Sequence, residues 1–340
     1  MYCKMNYRLK RYATVQCLTT KIAISGCYGQ GDLYIENTSE NLSILSGLQT
    51  DEGITIDDSG AYPLLGLLLE KGLLEVGHCQ DMKRNELYYE YLNYDFKQVC
   101  DKKILIFGAG AAGGTITYLL AQQGFTNITC LDGDVVEISD VDKTTIYDAK
   151  DIGVAKVEAL QKRIYANFGQ TINIIPSYLE DIKAIFTILK EVNPDLVVYA
   201  IDPRPSYKLA LNEYCVGHNI SIIHAGYSYE RILYGPFVIP GKTSCMKGYN
   251  EYWKRRTKGE MDFSKLKRLS DSYSVHPSIS FNINILSNIV VKDIIFGLGE
   301  RFEWVQSLNK QIIIDITSFE VTEMELSCGF CSTCKIDIRN

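Results

Sequence analysis

The feature that most constrains this chain is a glycine-rich loop at the end of an apolar strand. Residues 103–107 read KILIF, and residues 108–113 read GAGAAG, a GxGxxG pattern that opens a predicted helix. This order is typical of a nucleotide site, because the turn brings backbone amides and a positive helix end to a phosphate. Gly108, Gly110 and Gly113 are therefore predicted to bind a nucleotide. The alternative is a glycine turn with a structural role only.

Two acidic residues follow the second predicted strand. Residues 127–131 read NITCL, and Asp132 and Asp134 come soon after them. An acid at this place in such a fold can hold a ribose hydroxyl. Asp132 is thus the predicted ribose ligand, and Asp134 belongs to the same predicted nucleotide site. The glycine loop does not by itself separate NAD from ATP.

From residue 102 onward the chain alternates apolar strands with helices. Alternation of this kind predicts an α/β fold, a Rossmann-like doubly wound, mostly parallel sheet covered on both faces. After about residue 227 the pattern is less regular, and its clearest element is an apolar helix over residues 278–297. The predicted strands are 103–107, 127–131, 173–177, 195–201 and 220–225, and the predicted helices are 112–123, 154–168, 182–192 and 206–218.

Residues 1–80 read as a separate α+β domain. Three alternating runs, at residues 12–16, 21–25 and 32–36, predict a strand meander. One helix is predicted to begin after a cap at Ser39 and to run toward Leu48, and a second is predicted over residues 62–74. Such a unit is winged-helix-like. We expect a tyrosine-rich linker over residues 81–100 and a second domain over residues 101–340.

Composition excludes several classes of protein. The net charge is −6 and no long basic run occurs, so we expect no nucleic acid partner. No uninterrupted apolar window approaches the ~18 residues of a membrane span, and the first residues lack the apolar core of a signal peptide. We expect a cytoplasmic protein without a membrane partner. Seven of the 11 cysteines are single, and most are expected to be buried thiols.

Further motifs follow Asp132 in a fixed order. Lys143 comes first, then a GVAK segment that ends at Lys156, then YAID, which ends at Asp202. This order resembles the ThiF/MoeB group of the ubiquitin-activating-enzyme superfamily, which are ATP-dependent adenylating enzymes. The resemblance implies that Asp132 holds ribose, Lys156 the phosphates and Asp202 a magnesium ion. The alternatives are that Lys156 is a solvated helix residue and that Asp202 is a helix cap before Pro203.

Residues 224–245, HAGYSYERILYGPFVIPGKTSC, are similar to the MccB-like members of this superfamily, which act on ribosomal peptides. The resemblance implies a homodimer in which Arg84 reaches the γ-phosphate of the partner subunit's ATP. Lys143 stands where close relatives have arginine, so it supplies a point charge without a planar fork. His224 replaces an asparagine, and it either contacts the substrate or fills the floor of the site.

The N-terminal domain resembles the recognition elements that bind the leader of a precursor peptide. In such elements the leader adds as a strand beside the third strand and packs against the last helix. The alternative is a structural dimerisation domain. The predicted peptide contacts are Leu33, Tyr34, Ile35, Leu68 and Tyr227.

Many members of the superfamily bind structural zinc with two CxxC pairs. Here Cys245 is alone, because Gly248 occupies the position of its pair. Cys328, Cys331 and Cys334 supply three more thiols, and four thiolates form a closed zinc site. The alternatives are free thiols or a site lost by drift.

The sequence therefore predicts a homodimeric activating enzyme with ATP, Mg²⁺ and structural Zn²⁺. It would adenylate a carboxyl or amide group of a ribosomal precursor peptide, leading to cyclisation or a related modification in peptide antibiotic biosynthesis. The rival functions are a sulfur-carrier-protein adenylyltransferase and a non-catalytic protein that delivers a leader peptide. A dehydrogenase is disfavoured, since no proton relay for a nicotinamide is apparent.

Overall fold

The structure is a computed structural model of the chain. It describes residues 5–56, 62–76, 83–179, 181–201, 205–262, 265, 277–326, 329–331, 333–334 and 337–338. The chain divides into two compact units, Met1–Phe96 and Lys97–Asn340. The boundary between them falls within the segment that we predicted as a linker.

The described residues of the first unit form two small antiparallel sheets and three α-helices. One sheet has the strand order β5-β1-β6 and the other β2-β3-β4. The second sheet is the predicted meander, in which β4 is an edge strand. The elements are β1 (Met5–Leu9), β2 (Thr14–Cys17), β3 (Lys21–Ser25), β4 (Leu33–Glu36), α1 (Ser39–Leu48), β5 (Ile54–Ile56), α2 (Pro63–Glu70), β6 (Leu74–Val76) and α3 (Arg84–Tyr91).

The helices of this unit follow local capping signals. The Thr38 side chain accepts a hydrogen bond from the Asn41 N–H, so the cap of α1 lies one residue before the predicted cap Ser39, while the helix ends at Leu48 as predicted. The prediction of a helix to residue 74 was wrong at its end. Gly72 adopts φ +66, and Leu74–Val76 then pairs with β1 as a strand. Glycine favours this left-handed turn, which stops the helix although apolar residues continue beyond it.

The second unit is built on one sheet of eight strands. The strands run in the order β14-β13-β12-β11-β10-β7-β8-β9. The elements are β7 (Ile104–Phe107), α4 (Ala111–Gln123), β8 (Ile128–Leu131), α5 (Ile138–Val141), α6 (Lys156–Phe168), β9 (Asn173–Ile175), α7 (Ile182–Val192), β10 (Leu196–Tyr199), α8 (Pro205–Gly217), β11 (Ser221–Ser228), β12 (Arg231–Val238), α9 (Met246–Arg256), α10 (Ser280–Leu298), β13 (Lys310–Asp315), β14 (Val321–Glu325), β15 (Gly329–Phe330) and β16 (Asp337–Ile338).

The direction of the strands confirms the Rossmann-like, mostly parallel fold. Strands β9, β8, β7, β10 and β11 are parallel, while β12, β13 and β14 extend the sheet in antiparallel pairs. The region after residue 227 is therefore more regular than the sequence pattern suggests. The chain moves from β7 toward β8 and later returns to β10 on the other side of β7. In open sheets of this kind, ligands bind at such a switch point, outside the carboxyl ends of the strands.

Helices cover both faces of the sheet. The face that carries Phe107 and Tyr199 packs against α7 and α8. Helices α4 and α10 contact each other and the sheet. Layers on both sides explain why β7, β8 and β10 are buried along their whole length.

One helix among the described residues, Ser280–Leu298, is long and apolar enough to cross a bilayer. Of its apolar window, 56% is buried inside the chain. The helix also carries the fully buried Asp293, whose carboxylate accepts hydrogen bonds from the hydroxyl and N–H of Ser307 at 2.6 and 3.1 Å. These contacts are those of a core helix, which passes the same test of length and composition.

Candidate nucleotide site

The glycine loop closes tightly on itself and stays open at its tip. Gly108 has φ +102, in the left-handed region, and a β-carbon there would lie 2.8 Å from the Ala200 carbonyl oxygen. A β-carbon at Gly113 would lie 2.1 Å from the Gly108 carbonyl oxygen, so neither position has room for a side chain. A β-carbon at Gly110 would meet no atom within 4 Å. Gly110 also begins α4 without a side-chain cap, so the helix presents backbone amides to open space.

Asp132 lies against this loop, as predicted. Its Oδ2 accepts a hydrogen bond from the Ala109 N–H at 2.7 Å, and its Oδ1 accepts one from the Asp134 N–H at 2.8 Å. Burial raises the pKa of Asp132, although the two N–H groups act in the opposite direction. The carboxylate is thus fixed at the end of β8, beside the loop that would carry the phosphates.

The two predicted lysines meet on one buried acid, Asp140, which is 2% exposed. Lys143 Nζ lies 3.1 Å from Asp140 Oδ1, and Lys156 Nζ lies 3.3 Å from Asp140 Oδ2. The Glu137 N–H donates to Asp140 Oδ2 at 3.0 Å. A second acid, Asp134, lies 3.6 Å from Lys156 Nζ. Asp140 therefore holds both ammonium groups in place.

The pKa values of Asp140 and Lys156 reflect these charged contacts. Burial opposes the ionisation of Asp140, but the Glu137 N–H and the two lysines outweigh it and lower its pKa. Burial likewise opposes the charge on Lys156, while Asp140, Asp132 and Asp134 together raise its pKa. Asp140 and Lys156 are therefore both charged at neutral pH, so the buried acid and the buried ammonium group form an ion pair.

Two residues of the site, Asp140 and Tyr147, were not predicted from the sequence. The hydroxyl of Tyr147, which is 3% exposed, donates to the Ala109 carbonyl oxygen at 2.6 Å and lies 3.3 Å from that of Lys156. It therefore joins the glycine loop to the start of α6. The i, i+3 spacing of Asp140 and Lys143 was a visible signal for the acid. No comparable signal marks Tyr147.

The other predicted site residues are divided between the two units. Arg84 is exposed in the first turn of α3, in the first unit. Leu33, Tyr34 and Ile35 lie on edge strand β4, where Tyr34 is 55% exposed. The remaining predicted peptide contacts and the predicted magnesium ligand lie elsewhere: Leu68 is fully buried in the core of the first unit, Tyr227 is half-buried on β11, and Asp202 lies outside the described residues.

Three of the four predicted zinc ligands come together, while Cys328 lies outside the described residues. The Sγ atoms of Cys245, Cys331 and Cys334 all lie within 4.8 Å of one another, and all three residues are buried. Cys245 Sγ and Cys331 Sγ are 3.8 Å apart. This separation fits zinc, because two sulfurs at about 2.3 Å from a tetrahedral ion lie about 3.8 Å from each other.

One thiol of this cluster has a lowered pKa. Burial opposes ionisation of Cys331, yet N–H groups of Cys334 and Thr333 hold the pKa of its thiol below the ordinary value.

Among the single cysteines that the structure describes, only Cys130 and Cys215 are buried, so the expectation of mostly buried thiols was wrong there. The others, Cys17, Cys27 and Cys100, are exposed or half-buried.

The fold and the site define a nucleotide-binding α/β protein with an acid and two lysines beside a glycine loop. The chain matches the ThiF family over residues 84–334, and it belongs to that family. Ubiquitin-like modifier-activating enzyme 5 of Drosophila mojavensis is 25% identical over 163 residues, which are 44% of this chain and 40% of that protein. The chain thus spans less than half of this activating enzyme.

Solved structures match nearly the whole chain. Escherichia coli MccB, crystallised with AMPCPP and MccA, is similar with a TM-score of 0.72 and 21% identity, over 97% of this chain and 100% of that one. PaaA is similar with a TM-score of 0.70 and 17% identity, over 92% of this chain and 98% of that one. The likeness to both proteins is one of fold, and it includes both units.

Proposed function

We propose that this chain is an ATP-dependent enzyme that adenylates a carboxyl or amide group of a ribosomally made precursor peptide. The observation that carries the proposal is the arrangement at the switch point of the sheet. An open glycine loop, a ribose-side acid and two fixed ammonium groups lie together there. Triphosphate chemistry needs cations of this kind, whereas NAD carries a diphosphate only.

The residues divide the work of binding ATP. Asp132 would hold the ribose, and the amides at Gly110 and at the start of α4 would hold phosphate oxygens. Lys156 and Lys143 would neutralise the phosphates once the nucleotide competes with Asp140 and Asp134 for their ammonium groups. A magnesium ion, when bound, would supply further positive charge at the phosphates, with Asp202 as its proposed ligand.

The chemical step is the attack of a substrate oxygen on the α-phosphorus. A new oxygen–phosphorus bond forms, the bond from the α-phosphorus to the bridging oxygen of the β-phosphate breaks, and pyrophosphate leaves with that electron pair. The product is an acyl adenylate when the substrate is a carboxylate, and an O-adenylated imidate when it is an amide. Positioning and fixed positive charge supply the catalysis, since a carboxylate oxygen needs no base to attack.

The first unit supports a peptide as the substrate. Among the residues that the structure describes, strand β4 pairs with β3 alone, so it is an edge of its sheet. An extended leader peptide can add to such an edge through backbone hydrogen bonds. MccB has been crystallised with MccA, and 97% of this chain is similar to it in fold. We therefore propose residues 1–80 as the leader-binding domain, residues 81–100 as a linker and residues 101–340 as the activating domain.

The remaining parts of the proposal concern assembly and context. We propose a homodimer in which the exposed Arg84 serves the partner subunit's ATP, and a zinc ion held by Cys245, Cys328, Cys331 and Cys334. The activated group would be captured within the peptide, as in cyclisation during antibiotic biosynthesis in the cytoplasm. A sulfur-carrier protein is the second candidate substrate, and 32% identity over 83 residues with a probable molybdopterin-synthase adenylyltransferase of Porphyra purpurea favours it.

The experiment compares two lysines on α6. Lys156→Ala should abolish ATP binding and peptide-dependent pyrophosphate release, because it removes the buried ammonium group. Lys162→Ala, an exposed position of the same helix, should retain both activities within twofold. The probes are synthetic MccA and peptides from short reading frames beside the gene, with a Gly-Gly-terminated sulfur carrier as the competing substrate.

The results separate the candidate functions. Pyrophosphate release with a peptide supports the proposal, and release only with the sulfur carrier supports its rival. Equal activity of Lys156→Ala and the wild-type protein would remove the nucleotide site from where we place it.

A further inference from the structure

His224 is a buried imidazole that the nucleotide site does not use. It is 4% exposed, and within the part of the chain that the structure describes neither of its ring nitrogens has a hydrogen-bond partner. Unpaired buried polar atoms destabilise a fold. A residue that keeps two such atoms therefore calls for a ligand that would satisfy them.

The position of His224 in the sheet places it beside the site. His224 pairs in parallel register with Tyr199, and Tyr199 pairs with Phe107, the residue before the glycine loop. At about 4.8 Å per strand, His224 lies roughly 10 Å across the sheet from Phe107. Along this edge Asp132 marks the ribose side, the glycine loop follows, and His224 lies on the far side, where the group that attacks the α-phosphate must approach.

A positive charge accompanies the imidazole. Burial and the ammonium group of Lys208 hold the pKa of His224 well below its ordinary value, so the ring is neutral at pH 7. Lys208 Nζ lies 5.5 Å from the centre of the Tyr199 ring, which is itself 5.5 Å from the centre of the His224 ring. A neutral imidazole has one N–H donor, and a donor beside a cation attracts an anionic oxygen.

The end of β11 leaves space for such a group. Gly226 follows two residues after His224, and a β-carbon there would meet no atom within 4 Å.

We propose that His224, together with Lys208, binds the carboxylate that is to be activated and is a specificity-determining residue of the enzyme. The proposal rests on the adenylating function proposed above and adds its substrate class: a carboxylate in preference to a carboxamide. The N–H of His224 donates to one carboxylate oxygen, Lys208 supplies the charge, and the second oxygen is left to attack the α-phosphorus.

The test observes His224 directly. The chain has four histidines, so ¹⁵N spectra of the imidazole groups are simple, and His224→Phe identifies the signal. The probes are capped single residues, N-acetyl-glutamate methylamide and N-acetyl-glutamine methylamide, each added in the presence of AMPCPP. The glutamate probe should shift the His224 signal at concentrations at least fivefold lower than the glutamine probe, and AMPCPP alone should not shift it. Equal shifts with both probes, or none with either, would overturn the proposal.

Variants separate binding from structure. His224→Phe removes two unpaired polar atoms, so it should raise Tm, keep the Kd for ATP within twofold and weaken the glutamate probe at least tenfold. His224→Asn, which keeps a donor, should recover part of that binding. His218→Phe, an exposed position on the neighbouring segment, is the matched control. A lower Tm with unchanged probe binding in His224→Phe would show a structural role only.

The proposed function fails separately. A wild-type protein that binds no ATP contradicts adenylation, whereas the carboxylate preference at His224 is read from the probe titrations, which are repeated without AMPCPP.

Discussion

Asp140 offers the sharpest test of the site as the structure shows it. The substitution Asp140→Asn keeps the shape of the side chain and an oxygen for the Glu137 N–H, but it removes the charge that two lysines share. Asp140 is 2% exposed, and the side chain of Lys156 is 11% exposed. A charged contact as buried as this one contributes roughly 1.5–2 kcal/mol.

The second contact contributes less. The side chain of Lys143 is 26% exposed, so solvent screens its pair with Asp140 and leaves about 0.5 kcal/mol. The sum predicts that Asp140→Asn lowers the free energy of unfolding by roughly 2–2.5 kcal/mol. For a unit of this size, Tm should fall by about 4–10 °C.

The effect should depend on pH in a stated direction. The folded-state pKa of Asp140 is lowered, so its contribution is present above the ordinary carboxyl pKa of 3.8 and is lost as the pH falls through the folded-state value. The pKa of Lys156 is raised, so its contribution is complete below 10.5 and is lost as the pH rises through the folded-state value. The difference between wild type and variant should therefore be constant from pH 5 to pH 9 and shrink below pH 4.

Urea unfolding followed by circular dichroism measures this difference. Asp142→Asn is the matched control, because it removes the same charge from an exposed position two residues away. It should change the free energy of unfolding by less than about 0.5 kcal/mol. If Asp140→Asn costs no more than this control, the buried acid does not hold the two lysines together.

Three further perturbations test other parts of the account. Gly110→Ala should leave Tm within about 2 °C of the wild-type value and weaken ATP binding about tenfold, whereas Gly113→Ala should destabilise the fold by about 1–3 kcal/mol. Calorimetry measures the stability and nucleotide titration the affinity. Equal effects of the two substitutions would contradict the loop geometry. Elemental analysis should find about one zinc ion per chain in the wild-type protein, and Cys331→Ser should lose this zinc and lower Tm by about 10 °C or more. Cys17→Ser, at an exposed position, should do neither. Stable, reduced wild-type protein without metal would refute the zinc site. Tyr34→Pro should raise the KM for the peptide at least tenfold while the ATP affinity and the circular dichroism spectrum stay unchanged. Tyr34→Ala should keep a KM near the wild-type value, because the predicted contact is made by the backbone. An unchanged KM in the proline variant would remove β4 as the leader site.

Much of the second unit could be predicted because its signals are local. Strand β7 and helix α4 each show a clear pattern, and a glycine loop between them fixes their order. The antiparallel strands after residue 227 were missed, since β12 and β13 pair across more than 70 residues and such pairing leaves no local period.

The first unit shows why short strands escape sequence analysis. Strands β5 and β6 have three residues each, too few for an alternating pattern, and both are defined by pairing with β1. The choice of Leu68 as a predicted peptide contact has a related explanation. Apolar residues occur on nearly every face of α2, so sequence alone could not show that Leu68 is buried and Leu69 is 37% exposed.

The candidate site divides in the same way. Gly108, Gly113 and Asp132 were predicted because a fixed spacing links them to one strand–loop–helix unit. Asp140 binds Lys156 through space, across an irregular segment whose path no spacing rule describes. Tyr147 depends on that same path, so only the fold could reveal it.

The most direct measurement of the central claim identifies the products of ATP. Phosphorus NMR of the wild-type protein with ATP, Mg²⁺ and a precursor peptide distinguishes attack at the α-phosphorus from attack at the γ-phosphorus. We predict AMP and pyrophosphate in equal amounts, formed only when peptide is present and absent with Lys156→Ala. Peptide-dependent ADP and phosphate would contradict adenylation.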